Sequence, residues 1–169
     1  LYIENLAVIE KTYVEFPRGF TVFTGETGAG KSILIDAINA CLGQRTTREI
    51  VRTGAENASI SAGFREIPRD AADMLLKNGY SVEESGELLL DRTIHADGRT
   101  SARVNGRPAA VGFLREIGTR LINIHGQHDS QTLLSPEKHL GILDNFGGLH
   151  EETAAYQEKF LALRDTVRK

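Results

Sequence analysis

The stretch Gly25-Glu26-Thr27-Gly28-Ala29-Gly30-Lys31-Ser32 sets glycines, a lysine and a hydroxyl at the spacing of a loop that cradles phosphate. A polyphosphate carries several negative charges, and such a loop must meet them with N–H donors rather than side-chain bulk. Gly28 and Gly30 let the backbone bend so that successive amides converge as an anion nest, with the positive end of the next helix behind them. Gly25 allows a sharp entry into the loop. Lys31 is then placed to reach the β- and γ-phosphates, and the Ser32 hydroxyl to ligate Mg²⁺. Average residue usage produces this pattern by chance in roughly one chain of this length in a hundred or fewer. The expectation is a site for ATP with Mg²⁺.

Such a loop needs a strand before it and a helix after it. Alternation over Leu6–Ile9, Thr12–Phe16 and Phe20–Thr24 predicts three short strands, the last two joined by a Pro17-Arg18-Gly19 turn and the third running into the loop. Lys31–Leu42 has helical composition and meets Gly43 at the position that stops helices. Ala58–Phe64 alternates as a half-buried strand, and Pro68 opens a predicted helix to Asn78 with Gly79 as its stop. Leu88–His95 and Arg99–Val104 read as strands, followed by the hairpin dipeptide Asn105-Gly106. Val111–Ile117 predicts a helix, Leu121–Ile124 a short buried strand leading to the loop His125–Gln131, and Ser135-Pro136-Glu137 a helix start running to Gly147-Gly148. The fold class is therefore α/β, a P-loop core with an added antiparallel sheet.

The last 21 residues differ. Leu149, Thr153, Tyr156, Phe160, Leu163 and Val167 are spaced 4, 3, 4, 3, 4 with charged residues between them, which is the rhythm of a coiled-coil seam. A single amphipathic helix packed on the domain is the other reading of so short a run. The domain organisation expected is residues 1–148 as one globular lobe and 149–169 as the start of a coiled-coil helix.

The bulk properties exclude several classes. The chain has 169 residues, 40% apolar and 25% charged, with a formal net charge of −3. This fits one soluble domain with its own core and gives no global attraction to nucleic acid. There is neither an apolar run long enough to span a bilayer nor a signal peptide, so a cytoplasmic protein without membrane contact is expected. Cys41 is alone, which rules out an internal disulfide, and its neighbours Ile38, Ala40 and Leu42 predict a buried structural thiol. The chain opens at Leu1 rather than methionine, as a trimmed chain does.

Hydrolysis asks for more than a cradle, namely an acid at the end of a second apolar strand to hold Mg²⁺ and polarise water. Asp91 follows Leu88-Leu89-Leu90, but Arg92 stands next to it and a hairpin follows. Asp144 follows Ile142-Leu143 but sits inside a predicted helix. Neither has the required setting, and the second acid is expected to come from outside these residues. His125, His128 and Asp129 lack further ligands at metal-site spacing, so no zinc site is expected. Arg92, Arg99, Arg103 and Arg107 surround the predicted hairpin, either to touch DNA phosphates or simply to decorate an exposed ribbon.

The segments Ile3–Arg45, Val51–Phe64, Leu88–Ala109 and Leu121–Gly148 closely resemble the N-terminal part of the RecN family, bacterial double-strand-break repair ATPases of the SMC-like group. The resemblance implies an ABC/SMC-type head whose N-terminal lobe carries the Walker A loop, here Gly25–Ser32, and a glutamine loop. Gln127 is the match to the glutamine that meets Mg²⁺ and the attacking water, with Gln131 as the alternative, and Arg52 resembles an arginine that related heads present near the nucleotide. It also implies as partners a C-terminal lobe of the same protein that brings the signature motif and Walker B acids, a second head engaged on ATP binding, and DNA, in the bacterial cytoplasm at the nucleoid. Two other readings compete: a compact P-loop kinase acting on a small acceptor, with Arg92–Arg107 as its lid, and a non-hydrolytic, nucleotide-gated binding module.

Overall fold

The computed structural model describes residues 1–25, 30–82, 86–124 and 136–167. They form two compact units, Leu1–Asn123 and Ile124–Lys169. In the first unit the elements are β1 (Tyr2–Leu6), β2 (Ile9–Tyr13), α1 (Lys31–Cys41), β3 (Asn57–Phe64), α2 (Arg69–Lys77), β4 (Leu88–His95), β5 (Thr100–Val104), β6 (Arg107–Ala109) and α3 (Val111–Leu121), with a 3₁₀ turn at Arg48–Ile50. The second unit holds α4 (Pro136–Gly147) and α5 (His150–Val167).

The six strands make one antiparallel sheet in the order β2-β1-β3-β4-β5-β6. Strand side chains alternate between faces, so each strand sends its apolar set to one side. Ile3, Ala58, Ile60, Ala62, Leu88, Leu90, Ile94, Ala102 and Val104 are buried there, under α1 and α3, while Glu4, Ser59, Ser61, Asp91 and Thr93 line the open face. One-sided burial of this kind suits an antiparallel sheet. α2 packs on α3 and adds Ala71, Met74 and Leu75 to the core.

α1 lies on β3, β4 and β1 through Ala37, Ala40 and Cys41, none of which has any exposed surface. The Cys41 thiol donates to the Leu90 carbonyl at 3.4 Å, and burial pushes it up to about 12, as the isolated structural cysteine was expected to behave. The helix stops as predicted, at Gly43 with φ +77. A β-carbon there would stand 2.5 Å from the Val111 oxygen and 2.6 Å from the Arg115 nitrogen, so the glycine also lets the end of α1 abut the first turn of α3.

The turn chemistry at Asn105-Gly106 is as the dipeptide predicts, with φ of 47° and 75°. Asn105 also acts as a clasp: its Oδ1 accepts from the Leu89 N–H at 2.8 Å and its Nδ2 donates to the Ser81 oxygen at 2.9 Å. β3, α2, β4 and β5 match their predicted spans to within a residue or so.

Three expectations are corrected. Leu6–Ile9 is a turn rather than a strand: Leu6 pairs with Ile9 around Ala7 and Val8, with Ala7 at φ 48, and the flanking strands are shifted to Tyr2–Leu6 and Ile9–Tyr13. Phe20–Thr24 is no strand, because no described strand offers it a ladder, and Phe20 and Val22 are 85% and 61% exposed. Leu121–Ile124 is not a strand either: α3 runs through Leu121, and Ile122 leaves it in an extended conformation with φ −138.

In the second unit α5 carries Glu151 and Glu152 in its first turn and Arg164 in its last, each complementing the helix dipole. Its seam residues Tyr156, Phe160 and Leu163 are exposed, as is Leu149 just before it.

Two outcomes follow from the α1 anchorage. Gly43→Ala combines overpacking against backbone with a left-handed φ, and is expected to lower stability by about 2–4 kcal/mol in urea unfolding. Because the folded thiol of Cys41 holds its proton to about pH 12 while the unfolded one ionises near 9, stability contributed by this group is whole below pH 9 and declines between those values. A Cys41→Ala variant should show a shallower alkaline decline in denaturation midpoint, and an identical slope would contradict the assignment.

Candidate functional site

α1 begins at Lys31, immediately after Gly30, whose φ of 84° is left-handed and beside which a β-carbon would meet no atom within 4 Å. The chain therefore enters the helix with open space on the outer side of the turn. The Leu34 amide donates to the Gly30 carbonyl at 3.1 Å, closing the first helical turn. That turn contains no acidic residue, so the positive end of the helix is uncancelled. Lys31 is half-buried and its Nζ donates to the Gly25 oxygen, while Ser32 is exposed on the first turn. Glycine-flanked amides, an ammonium and a hydroxyl at an open helix N-terminus are a donor set that fits a magnesium-bound polyphosphate.

Glu26, Thr27, Gly28 and Ala29 lie outside the described residues, as do Gln127, Gln131, His125, His128 and Asp129. Gly25, Gly30, Lys31 and Ser32 are therefore the predicted site residues whose placement is described. No grouping of three or more His, Cys, Asp or Glu side chains suited to a metal ion occurs among the described residues.

Neither candidate acid has the setting, at the end of a second apolar strand beside the loop, that was asked of it. Asp91 lies on the open face of the sheet, whereas α1 packs on the other, and its Oδ1 accepts from the Ser61 hydroxyl at 2.5 Å. Asp144 lies inside α4, as the helical pattern there predicts. Arg52 sits beside the β1–β2 turn: its amide donates to the Asn5 oxygen at 2.9 Å, its Nη1 to the Val8 oxygen at 2.8 Å, and Glu10 is 4.0 Å from Nη2.

Three of the four arginines around the hairpin are exposed, and each has its own partner. Arg99 pairs with Asp97 at 2.7 Å, Arg103 donates to the Gly106 oxygen and Arg107 to the Gly79 oxygen. Arg92 is only 4% exposed and faces the helix-covered side, which corrects its expected place on an exposed ribbon. The signal was present in the sequence, since Leu88, Leu90 and Ile94 put every even position of β4 on the core face.

An AAA domain family model matches residues 1–159. The chain is 44% identical over 161 residues to the DNA repair protein RecN of Halalkalibacterium halodurans, covering 95% of this chain and 28% of that protein. It is 43% identical over 163 residues to the DNA repair protein RecN of Bacillus subtilis, with the same coverage on both sides. In structure it resembles the Smc head domain with a coiled coil and joint from Pyrococcus yayanosii, with a TM-score of 0.62 at 21% identity, covering 97% of this chain and 34% of that one. That likeness fixes the fold, that of an Smc-type head domain with an antiparallel sheet and a C-terminal helix.

If Asp91 is a structural partner of Ser61, then Asp91→Asn leaves affinity for magnesium-ATP unchanged in calorimetric titration while lowering the melting temperature. A large loss of affinity in a folded variant would return Asp91 to the nucleotide.

Proposed function

The chain belongs to the AAA domain family, with the DNA repair protein RecN among its relatives, and on that premise we propose that it is the ATP-binding lobe of an SMC-like DNA repair ATPase head. It spans 28% of the length of those relatives. In this reading residues 1–148 form the lobe and 149–169 begin the coiled coil, whose exposed seam supports the departure of a longer helix. The observation that carries the proposal is the left-handed Gly30 leading into α1, with Lys31 and Ser32 in its acid-free first turn.

Gly25–Ser32 would hold the triphosphate, Lys31 its β- and γ-oxygens, and Ser32 the Mg²⁺, with Gln127 meeting the metal and the attacking water. When bound, the metal neutralises charge developing on the transferred phosphoryl group. The chain's own part is to orient the phosphates through backbone amides and to withhold bulk from them at Gly30. Asp91 is bonded to Ser61 on the open face of the sheet and Asp144 lies within a helix rather than at a strand end, so the acid that readies water is assigned to a C-terminal lobe of the same protein, and the closing surface to a second head engaged on DNA. This activity belongs to the bacterial cytoplasm, at the nucleoid. The kinase alternative needs a lid of converging arginines, and Arg92, Arg99, Arg103 and Arg107 are buried or bonded separately.

Lys31→Ala is expected to abolish binding of magnesium-ATP by the chain, read by calorimetry. Turnover by the unmodified chain should stay at background until the C-terminal lobe is supplied, and in that assembly Gln127→Ala should slow hydrolysis while sparing binding. Brisk hydrolysis by the chain alone would overturn the divided-site reading.

A further inference from the structure

Arg92 occupies the middle of a cross-strand row, Ile3–Ile60–Arg92–Ala102–Ala109, on the helix-covered face of the sheet. It is 4% exposed, and its Nε and Nη1 find no acceptor among the described residues. Burying a guanidinium without a carboxylate or a full set of hydrogen bonds opposes the packing that covers it, and an apolar side chain of similar volume in such a place is often neutral or stabilising. The docked arrangement around Arg92 therefore holds against a bias toward letting water reach it.

The two helices on this face meet that charge differently. The titratable groups close enough to act on Arg92 are the Cys41 thiol of α1, which is neutral, and the Arg115 guanidinium of α3, a like charge. Lifting α3 would hydrate one cation and separate two. α1, by contrast, is held on the sheet by Ala37, Ala40 and Cys41, none of which has any exposed surface. The ends of α3 suit a movement: its N-cap Ala110 makes no side-chain cap bond, and Ala110 and Ile122 are both extended. The strand that leads into it, β6, is three residues long and lies at the edge of the sheet. Leu114 and Ile117 are fully buried and oppose opening, so the docked form is the major one.

We propose that α3 is a hinged segment that opens away from the sheet and from the end of α1, at a lower free-energy cost than unfolding of the rest of the first unit, because opening returns Arg92 to water. Opening also breaks the bond from Arg115 Nε to the Gly43 oxygen and the close backbone approach at Gly43. The carboxyl end of α1 is thus gripped when α3 is docked and released when it is open. The device sets how firmly the helix that carries Lys31 and Ser32 is held.

The test is amide hydrogen exchange of the chain, read residue by residue by NMR. After correction for intrinsic rates, Ile117 and Gly118 of α3 should exchange about tenfold or more faster than Ala40 and Cys41 of α1 and Ile60 of β3. Arg92→Met, which replaces the cation by an apolar chain, should slow Ile117 and Gly118 by about tenfold or more and Ile60 by less, closing the gap. Ala102 stands opposite Arg92 on the same face, so Ala102→Asp supplies the carboxylate that Arg92 lacks. It should slow α3 exchange, whereas Ala102→Asn, of the same shape without the charge, should not. These two variants and the unmodified chain decide the matter should the Arg92→Met chain fail to fold. Equal protection of α3 and β3 in the unmodified chain, α3 exchange unchanged or faster in a folded Arg92→Met chain, or equal behaviour of the Ala102→Asp and Ala102→Asn chains overturns the proposal.

Discussion

The amino end of α1, where phosphate binding is proposed, depends on how the other end is held. Ala37, Ala40 and Cys41 turn no surface to solvent, and two of the three are alanines, so the helix axis can lie close to β3 and β4. Gly43 then admits the backbone of α3 at a distance no β-carbon would allow. Packing of small residues and backbone leaves few alternative arrangements, because interiors at crystal-like density do not deform continuously. The consequence is a helix fixed at its carboxyl end and presented at its amino end, with Ser32 exposed and Gly30 bordered by open space.

The sheet divides its chemistry between two faces. Among the described residues the buried side chains of the covered face are apolar but for Arg92, and the open face carries short polar side chains such as Ser59, Ser61 and Thr93 with Asp91 among them. Near the hairpin Arg92 is buried and Arg99 is paired with Asp97, whereas Arg103 and Arg107 donate to backbone carbonyls and keep their charge. Exposed pairs such as Arg99 with Asp97 contribute little, since water and salt screen them. A list of basic residues in sequence therefore overstates the positive surface they create.

Features whose cause is local were legible in the sequence. Gly43 after α1, the Asn105-Gly106 turn and the alternation of β3 each follow from a few adjacent residues. So did Gly30, Lys31 and Ser32, because a helix start is set by its own first turn. Features that need a distant partner were not. Phe20–Thr24 alternates like a strand, but a strand exists only when another strand accepts its hydrogen bonds. Leu121 reads equally as strand or helix by composition, and continuity with Ile117 and Gly118 decided for the helix. Arg92 was misplaced by its charge, although its parity along β4 assigned it to the interior.

The clasp at Asn105 brings a chemical consequence of its own. In an asparagine–glycine pair the following amide nitrogen is unhindered and can attack the side-chain carbonyl, which over time leaves aspartate or isoaspartate in its place. Here the amide is the donor to Ser81 and the acceptor for Leu89, so the product would set a carboxylate against a carbonyl oxygen, and the isoaspartyl form would lengthen the turn. In the residue that ties the loop before β4 to the β5–β6 turn, such a change would remove the clasp as well as alter the turn.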